Sequence, residues 1–254
     1  MLPKILVGCP TSIHKEYCFD KYLKGIKDLT YKNFDVLLVD NSDTLDYYNK
    51  IKDKINTIRF EPKMINVRYK LAESRNLIVD KVLKEGYDYF LSLEQDIVPP
   101  TDIIERLLKH NKEIICGVYY NYFNTHPPGI KPVLFKKFNQ EDLNNLLKSD
   151  DINYAATKKE VIEKNIKDPS LIRTRFTNEE LQEPRLIEVY KTGLGCILIH
   201  RSILEKVRFK WDLKLEAFDD FLFCEDVQRE GHKIFCDTSM KCMHYPMPWE
   251  GIIK

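Results

Sequence analysis

The sequence lacks a strong excess of charge of either sign. Its 254 residues include 40 lysines and arginines and 39 aspartates and glutamates, which nearly cancel. Non-specific nucleic-acid binding needs a strong positive field, so this balance argues against it, and specific nucleic-acid binding is disfavoured for the same reason. An anionic partner must therefore be bound by a local group of side chains.

Long apolar runs and cysteine pairing motifs are also missing. No stretch approaches the roughly 18 apolar residues of a membrane span, and the apolar stretch at 2–10 is too short for the core of a signal peptide. The seven cysteines show no CxxC spacing, and Cys9, Cys116 and Cys196 lie among apolar residues. These features favour reduced thiols. We expect a cytoplasmic protein with no transmembrane segment, and peripheral contact with a membrane stays open.

The sequence contains instead an alternation of short apolar runs and amphipathic stretches. Strands are predicted at 4–8, 34–40, 56–60, 89–93, 113–122, 186–191, 196–200 and 233–236. Helices are predicted at 71–85, 102–109 and 218–231. Such alternation is typical of an α/β fold with a mostly parallel central sheet and helices on both faces. We interpret residues 1–254 as a single domain, which this length allows.

The alternation is lost between residues 124 and 184. This segment is rich in Lys, Asp, Glu and Asn and shows only short periodic pieces, such as 142–147 and 158–165. We interpret it as an insertion of short helices or a lid within the domain. A surface excursion without a function fits the pattern equally well.

Two acidic residues follow the predicted strand at 89–93. Glu94 and Asp96 are separated by one residue, and prolines at 99 and 100 stop the strand-like stretch. Open α/β sheets bind their ligands at strand ends, where an acid-x-acid pair can present oxygen ligands to Mg²⁺ or Mn²⁺, and the ion can hold a diphosphate. A solvated turn or a helix cap is the alternative for two acids in a loop.

Three further features lie in the C-terminal part of the chain. Gly193 and Gly195 permit a close backbone approach, although a plain turn would use them too. Asp219 and Asp220 begin a predicted helix, where the helix dipole stabilises a carboxylate whatever its function. His244 lies in the tail, and both a polar contact and a ligand role stay open for a single histidine.

Taken in chain order, five pieces of the sequence resemble the GT-A-fold inverting glycosyltransferases, in particular those of family 2. The pieces are ILVGCPTSIHK, VDNSDT, LAESRNLIVDKVL, LSLEQDIVPP and DDFLFCEDVQREGHKIF. The resemblance spans most of the chain except 124–184. The last piece is the most specific, because the family's acid-Asp pair is followed by an aromatic, often a cysteine, and a glycine at fixed spacings. Phe223, Cys224 and Gly231 stand at those places after Asp220.

The resemblance implies a set of site residues, with two departures from the family pattern. The metal motif is Glu-Gln-Asp in place of Asp-x-Asp, and the catalytic pair is Asp-Asp in place of Glu-Asp. Asp220 is the implied general base for an acceptor hydroxyl, and Asp219 completes the pair. The implied ligands of Mn²⁺ or Mg²⁺ on the donor diphosphate are Glu94, Asp96 and His244.

The resemblance also implies residues that contact the nucleotide-sugar donor. These are Pro10, Thr11, Asp40, Arg75, Gln95 and Gly195. The loop at Pro10 and Thr11 would line the base pocket, and Asp40 would accept hydrogen bonds from the nucleoside. Arg75 would stand near the nucleotide or diphosphate as a cationic donor.

The implied function is a metal-dependent transfer of a sugar from a UDP- or GDP-linked donor to an acceptor hydroxyl, with inversion by single displacement. The acceptor could be a glycan, a lipid-linked sugar or a protein. A non-catalytic nucleotide-sugar-binding or scaffold protein on the same fold is the alternative. A sugar-phosphate nucleotidyltransferase ranks last, because the loop after the first strand contains no glycine.

Overall fold

One large sheet with helices on both sides forms the main body of the protein. A computed structural model describes residues 2–124, 128–169, 172, 174–214 and 217–246. The strands are β1 (Ile5–Thr11), β2 (Phe34–Asp40), β3 (Thr57–Arg59), β4 (Tyr89–Leu93), β5 (Ile97–Val98), β6 (Ile114–Val118), β7 (Tyr120–Phe123), β8 (Gly129–Pro132), β9 (Leu134–Lys136), β10 (Thr174–Arg175), β11 (Leu186–Val189), β12 (Lys191–Thr192), β13 (Cys196–His200), β14 (Ile234–Lys241) and β15 (Met243–His244).

The helices connect these strands. They are α1 (Phe19–Lys27), α2 (Asp46–Ile51), α3 (Val67–Lys84), α4 (Ile103–Lys109), α5 (Gln140–Lys148), α6 (Ala155–Glu163), α7 (Arg201–Leu204) and α8 (Asp219–Arg229). A 3₁₀ helix, Ile13–Cys18, lies between β1 and α1. Within the described ranges, no helix has the length and apolar character needed to cross a membrane.

The central sheet has eight strands in the order β11-β14-β6-β13-β4-β1-β2-β3. Six of them run in one direction, because β1 is parallel to β2 and β4, β2 to β3, and β14 to β6. β13 is antiparallel to β4 and β6, and β11 is antiparallel to β14. The predicted α/β class with a mostly parallel sheet is confirmed. The carboxyl ends of the six parallel strands therefore lie at one edge of the sheet, which we call the carboxyl edge.

Two apolar clusters cover the two faces of this sheet. Along β1, Leu6 belongs to one cluster, whereas Ile5 and Val7 belong to the other, as expected when successive strand side chains point to opposite faces. α3 and α8 contribute to the first cluster, and α1 and α4 to the second. All seven cysteines are buried and free, in agreement with the predicted reduced thiols.

The loop predicted at Pro10 and Thr11 belongs to β1. Pro10 pairs with Val39 of β2, and Thr11 with Asp40, so the expectation of a loop was wrong. Pairing of β1 with β4 ends at Gly8. From Pro10 onward β1 has a strand neighbour on one side only, where proline is tolerated despite its missing N–H.

Short helices form in the segment 124–184, as the periodic pieces predicted. The first, α5, begins with a reciprocal cap in which the Asn139 side chain accepts a hydrogen bond from the Asp142 backbone and the Asp142 side chain accepts one from Asn139. A small apolar cluster of the segment's own consists of Phe138, Leu143, Leu146, Val161 and Ile172. Strand β9 of this segment pairs with β12.

Candidate active site

Four acidic side chains come together beside the carboxyl edge. Glu94 and Asp96 directly follow β4, in a turn closed by a 2.8 Å bond from the Ile97 N–H to the Glu94 carbonyl. Asp219 and Asp220 are the first two residues of α8, whose apolar side packs on the sheet. The two acidic motifs singled out in the sequence thus meet at one place, although they lie far apart along the chain.

Arg75 joins these two motifs. Its side chain is 2% exposed, and its two terminal nitrogens donate to Asp219 Oδ2 and Glu94 Oε1, both at 2.5 Å. Burial alone would lower the pKa of Arg75, but the charges of Asp219 and Glu94 outweigh burial and raise it. Arg75 was predicted to stand near the donor nucleotide or diphosphate, and that contact stays a prediction. In the structure its two terminal nitrogens face carboxylates of this chain, so it fixes α8 relative to the end of β4.

Asp220 lies next to this buried pair and keeps part of its own surface exposed. Its Oδ1 accepts a 2.7 Å hydrogen bond from the Phe221 N–H. Burial by the surrounding protein, together with the negative charge of Asp219, raises the pKa of Asp220 to about 7. A reachable carboxylate that ionises near neutral pH has the properties of a general base.

His244 reaches the same edge through a short strand pair. β15 is antiparallel to β5, with His244 opposite Ile97. The Nδ1 atom of His244 lies 2.7 Å from the Tyr120 carbonyl, and it carries the proton because a carbonyl only accepts. The Nε2 atom lies 3.4 Å from Asp96 Oδ2. Burial alone would lower the pKa of His244, but its hydrogen bond with Asp96 raises it.

Lys15, on the 3₁₀ helix after β1, forms an ion pair with Asp96 Oδ2. The side chain of Lys15 is 23% exposed and that of Asp96 is 4% exposed. Burial alone would raise the pKa of Asp96, but hydrogen bonds and charge from His244 and Lys15 hold it below its usual value. Asp96 is therefore ionised, and it faces Lys15 and His244, which come from different parts of the chain.

Gln95 holds the turn between the two acids in place. Its amide nitrogen donates to the Lys15 carbonyl at 2.6 Å, and its amide oxygen accepts from the Thr11 and Tyr47 hydroxyls. Gln95 is 1% exposed and Thr11 is 3% exposed. Both residues were predicted to contact the donor, and the structure places both as buried supports of the site.

Asp40 is fully buried at the end of β2. Its Oδ1 accepts from the Ser42 hydroxyl at 2.6 Å, and its Oδ2 accepts from Arg59 at 2.8 Å. Both oxygens thus have partners within the chain. A nucleoside contact of Asp40 stays a prediction, and it requires this buried side chain to become accessible.

The two glycines before β13 make room for an aromatic ring. A Cβ on Gly195 would lie 2.8 Å from the Tyr119 ring, and one on Gly193 would overlap the Tyr119 hydroxyl. Burial, together with the charges of Glu94 and Asp220, raises the pKa of Tyr119 well above its usual value. The group that lies close to the backbone of these two glycines is therefore the Tyr119 ring. A contact between Gly195 and the donor stays a prediction.

A separate cavity of about 220 Å³ lies between α5 and the end of strand β9. Its lining residues are Lys136, Lys137, Phe138, Asp142, Asn145, Leu146, Ser149 and Tyr154. None of them belongs to the acidic cluster, so the cavity is not the place where the candidate catalytic groups meet.

Comparison with known proteins identifies the architecture. No protein-family model and no curated protein matches the sequence. Among solved structures, GalNAc-T7 with UDP, GalNAc and Mn²⁺ matches at a TM-score of 0.59 and 12% identity, over 97% of this chain and 45% of that chain. The chain has the GT-A fold. A197 from STIV matches at a TM-score of 0.48 and 16% identity, over 96% of this chain and 86% of that chain.

A divalent ion like the Mn²⁺ in the GalNAc-T7 structure would find two candidate ligands at this site, Asp96 and His244. Asp96 Oδ1 is buried without a hydrogen-bond partner among the described residues, and His244 Nε2 faces the same carboxylate. In the described part of the chain, no three His, Cys, Asp or Glu side chains are arranged to hold a metal. Phosphate oxygens and water would complete the coordination, as they commonly do for Mg²⁺.

Two residues of this candidate site, Lys15 and Tyr119, were missed from the sequence. Lys15 follows the end of β1 by four positions, and Tyr119 follows the end of β6 directly. Both strands end at the carboxyl edge. A search for charged and aromatic residues just after every parallel strand would have found them. Lys15 ends the first of the five family-like pieces, but the resemblance implied no role for it, and Tyr119 belongs to none of the pieces.

Proposed function

We propose that this protein is an inverting glycosyltransferase that moves a sugar from a nucleotide-sugar donor to an acceptor hydroxyl. The observation that carries the proposal is Asp220, a partly exposed carboxylate with a pKa of about 7, at the start of α8 in a GT-A fold. The match to GalNAc-T7, whose structure contains UDP, GalNAc and Mn²⁺, supports a nucleotide-sugar donor.

In the proposed reaction, Asp220 is the general base for the acceptor hydroxyl. The donor lies across the carboxyl edge, and the acceptor hydroxyl approaches the anomeric carbon on the side away from the diphosphate. The hydroxyl oxygen bonds to that carbon as the bond to the diphosphate oxygen breaks, and Asp220 takes the hydroxyl proton. This single displacement inverts the anomeric centre.

Arg75 is a positioning residue in this proposal. It binds Asp219 and Glu94 and so holds the start of α8 against the end of β4. Asp219 forms an ion pair with Arg75. The neighbouring Asp220 is therefore the carboxylate of the pair that is available to act as the base. Asp219 contributes its charge, which helps to keep the Asp220 pKa near neutral pH.

Asp96 and His244 would hold Mn²⁺ or Mg²⁺ in the loaded enzyme. The ion would offset the negative charge that grows on the leaving diphosphate. Glu94 accepts a hydrogen bond from Arg75, and its side chain is 31% exposed. It would therefore influence the ion without coordinating it directly. The donor contacts of Pro10, Thr11, Asp40, Gln95 and Gly195 stay predictions, as do the acceptor type and a cytoplasmic location.

A non-catalytic nucleotide-sugar-binding protein is the second candidate. It is favoured by one observation, that both carboxylates of the Glu-Gln-Asp motif are already paired with cations of this chain. Turnover of a bound donor separates the two proposals.

A thermal-shift panel of UDP-, GDP-, CMP- and dTDP-sugars, with and without Mn²⁺, tests the donor. A ligand that binds only the folded protein raises the melting temperature by mass action. We expect one nucleotide class to raise it in the presence of Mn²⁺, and that donor to be consumed when an acceptor is added. Binding without any turnover across glycan, lipid-linked and peptide acceptors would favour the second candidate, and no shift at saturating concentrations would contradict both.

A further inference from the structure

The contact between Lys15 and Asp96 lies where the proposed function requires a metal ion. Lys15 Nζ is paired with Asp96 Oδ2, the same oxygen that His244 Nε2 faces at 3.4 Å. Asp96 is almost completely buried, so its charge needs a partner within the protein. In this structure the ammonium of Lys15 provides that charge.

The backbone of Lys15 is held in place by hydrogen bonds, so the contact between Lys15 and Asp96 does not depend on a freely moving loop. The Lys15 N–H donates to the Ser12 carbonyl at 2.8 Å, and the Lys15 carbonyl accepts from Gln95 at 2.6 Å and from the Cys18 thiol at 3.1 Å. Gln95 is the residue directly before Asp96. The base of the lysine side chain and the carboxylate it binds are thus tied to the same turn.

The side chain of Lys15 can leave Asp96 without disturbing that backbone. A lysine ammonium is a compact charge on a flexible four-carbon chain, and 23% of this side chain is exposed. A divalent ion bound to Asp96 and His244 would lie within a few ångströms of the ammonium, and the repulsion between them would force one to leave.

We propose that Lys15 occupies the cation position at Asp96 and that a divalent ion binds there only by displacing the Lys15 ammonium. The inference rests on the proposed function for the role of the ion. Lys15 thereby limits the affinity of the site for the metal and keeps Asp96 neutralised when no metal is bound.

Direct titration of Mn²⁺ into the protein without nucleotide tests the inference, with free Mn²⁺ followed by electron paramagnetic resonance. Lys15→Met removes the competing charge, so we expect it to bind Mn²⁺ about tenfold or more tightly than the parent protein. Lys24→Met is the matched control, because it removes an exposed lysine paired with Asp28 on the surface. It should leave the Mn²⁺ affinity unchanged.

Lys15→Gln is a second variant that keeps the test valid if Lys15→Met does not fold. Glutamine keeps a polar end that can bond to Asp96 and loses only the charge, so it should give the same gain in Mn²⁺ affinity. Equal or weaker Mn²⁺ binding in the folded Lys15 variants, or no Mn²⁺ binding in any protein, would overturn the inference. The result is separate from the donor panel, since a donor can bind while the Lys15 variants show no gain, and the gain can appear while no donor binds.

Discussion

Arg75 Nη1 lies 2.5 Å from Asp219 Oδ2, although 144 residues separate them in the chain. The same guanidinium holds Glu94 through its other terminal nitrogen. One buried arginine thus sets the distance between the end of β4 and the start of α8, the two elements that carry the candidate catalytic and metal-binding acids. The stability of the protein and the geometry of its site depend on the same contact.

Arg75→Met should destabilise the protein strongly. The change leaves Asp219 buried without its cation, and removal of one partner of a buried ion pair typically costs about 3 to 5 kcal/mol. Urea unfolding measures the loss. Arg229→Met is the control, because Arg229 is 70% exposed in its pair with Asp226 and such surface pairs contribute about 0 to 1 kcal/mol. Equal losses in the two variants would contradict the role given to Arg75.

Asp220→Asn should abolish transfer while donor binding stays close to that of the parent protein. The change removes a base and no proposed metal ligand. In the parent protein the rate should rise with pH through about 7, because the base must be ionised to accept a proton and its pKa is about 7. A pH series of single-turnover rates measures this. Near-normal turnover in the variant would refute the assignment of Asp220.

The same substitution should have a pH-dependent effect on stability. The native protein holds the Asp220 proton up to a pH of about 7, whereas the unfolded chain releases it near its ordinary value of 3.8. Ionisation therefore costs native stability, and this cost grows as the pH rises from about 4 to about 7. Asp220→Asn removes the cost, so its melting temperature should exceed that of the parent at pH 8 and equal it at pH 4. A gain of the same size at both pH values would point to a cause other than ionisation.

The fold was predictable from the sequence where the signals are local. β2, β4 and β13 begin and end as predicted, because each is an apolar run closed by polar or strand-breaking residues. β1 and β14 extend beyond their predicted ends, to Thr11 and Lys241. Their last residues are extended because they pair with a neighbouring strand. A local sequence pattern does not show which strand will lie alongside.

The site was predictable as a set of residue types and not as a set of contacts. The acids at 94, 96, 219 and 220 follow from strand and helix ends, but their cations come from elsewhere in the chain. Lys15 is 81 residues from Asp96, and although it ends the piece ILVGCPTSIHK, the resemblance implied no role for it. His244 comes close to Asp96 through the pairing of β15 with β5, two strands of two residues each that are too short to predict.

His244→Ala should weaken Mn²⁺ binding and any Mn²⁺-dependent donor binding, while metal-free nucleotide binding stays unchanged. The Tyr120 carbonyl orients the His244 ring, and loss of an oriented ligand should lower metal affinity by about tenfold or more. Mn²⁺ titration measures the change. His110→Ala is the matched control, since His110 forms a similar pair with Asp237 at 2.8 Å outside the acidic cluster. Unchanged Mn²⁺ affinity in His244→Ala would leave His244 as a structural polar contact.

Gly195→Ala should destabilise the protein because its new Cβ would lie 2.8 Å from the Tyr119 ring. Overpacking of this kind costs about 1 to 3 kcal/mol. Tyr119→Ala removes the ring, so the double variant should lose less than the sum of the two single losses, by about 1 kcal/mol or more. Urea unfolding of the four proteins gives this coupling energy. Gly25→Ala serves as the control for the cycle, because its Cβ would contact Val98 and its loss should add to that of Tyr119→Ala. Additive losses for Gly195→Ala and Tyr119→Ala would mean that the glycine is there for a reason other than Tyr119, and a contact with the donor sugar would then become the better explanation.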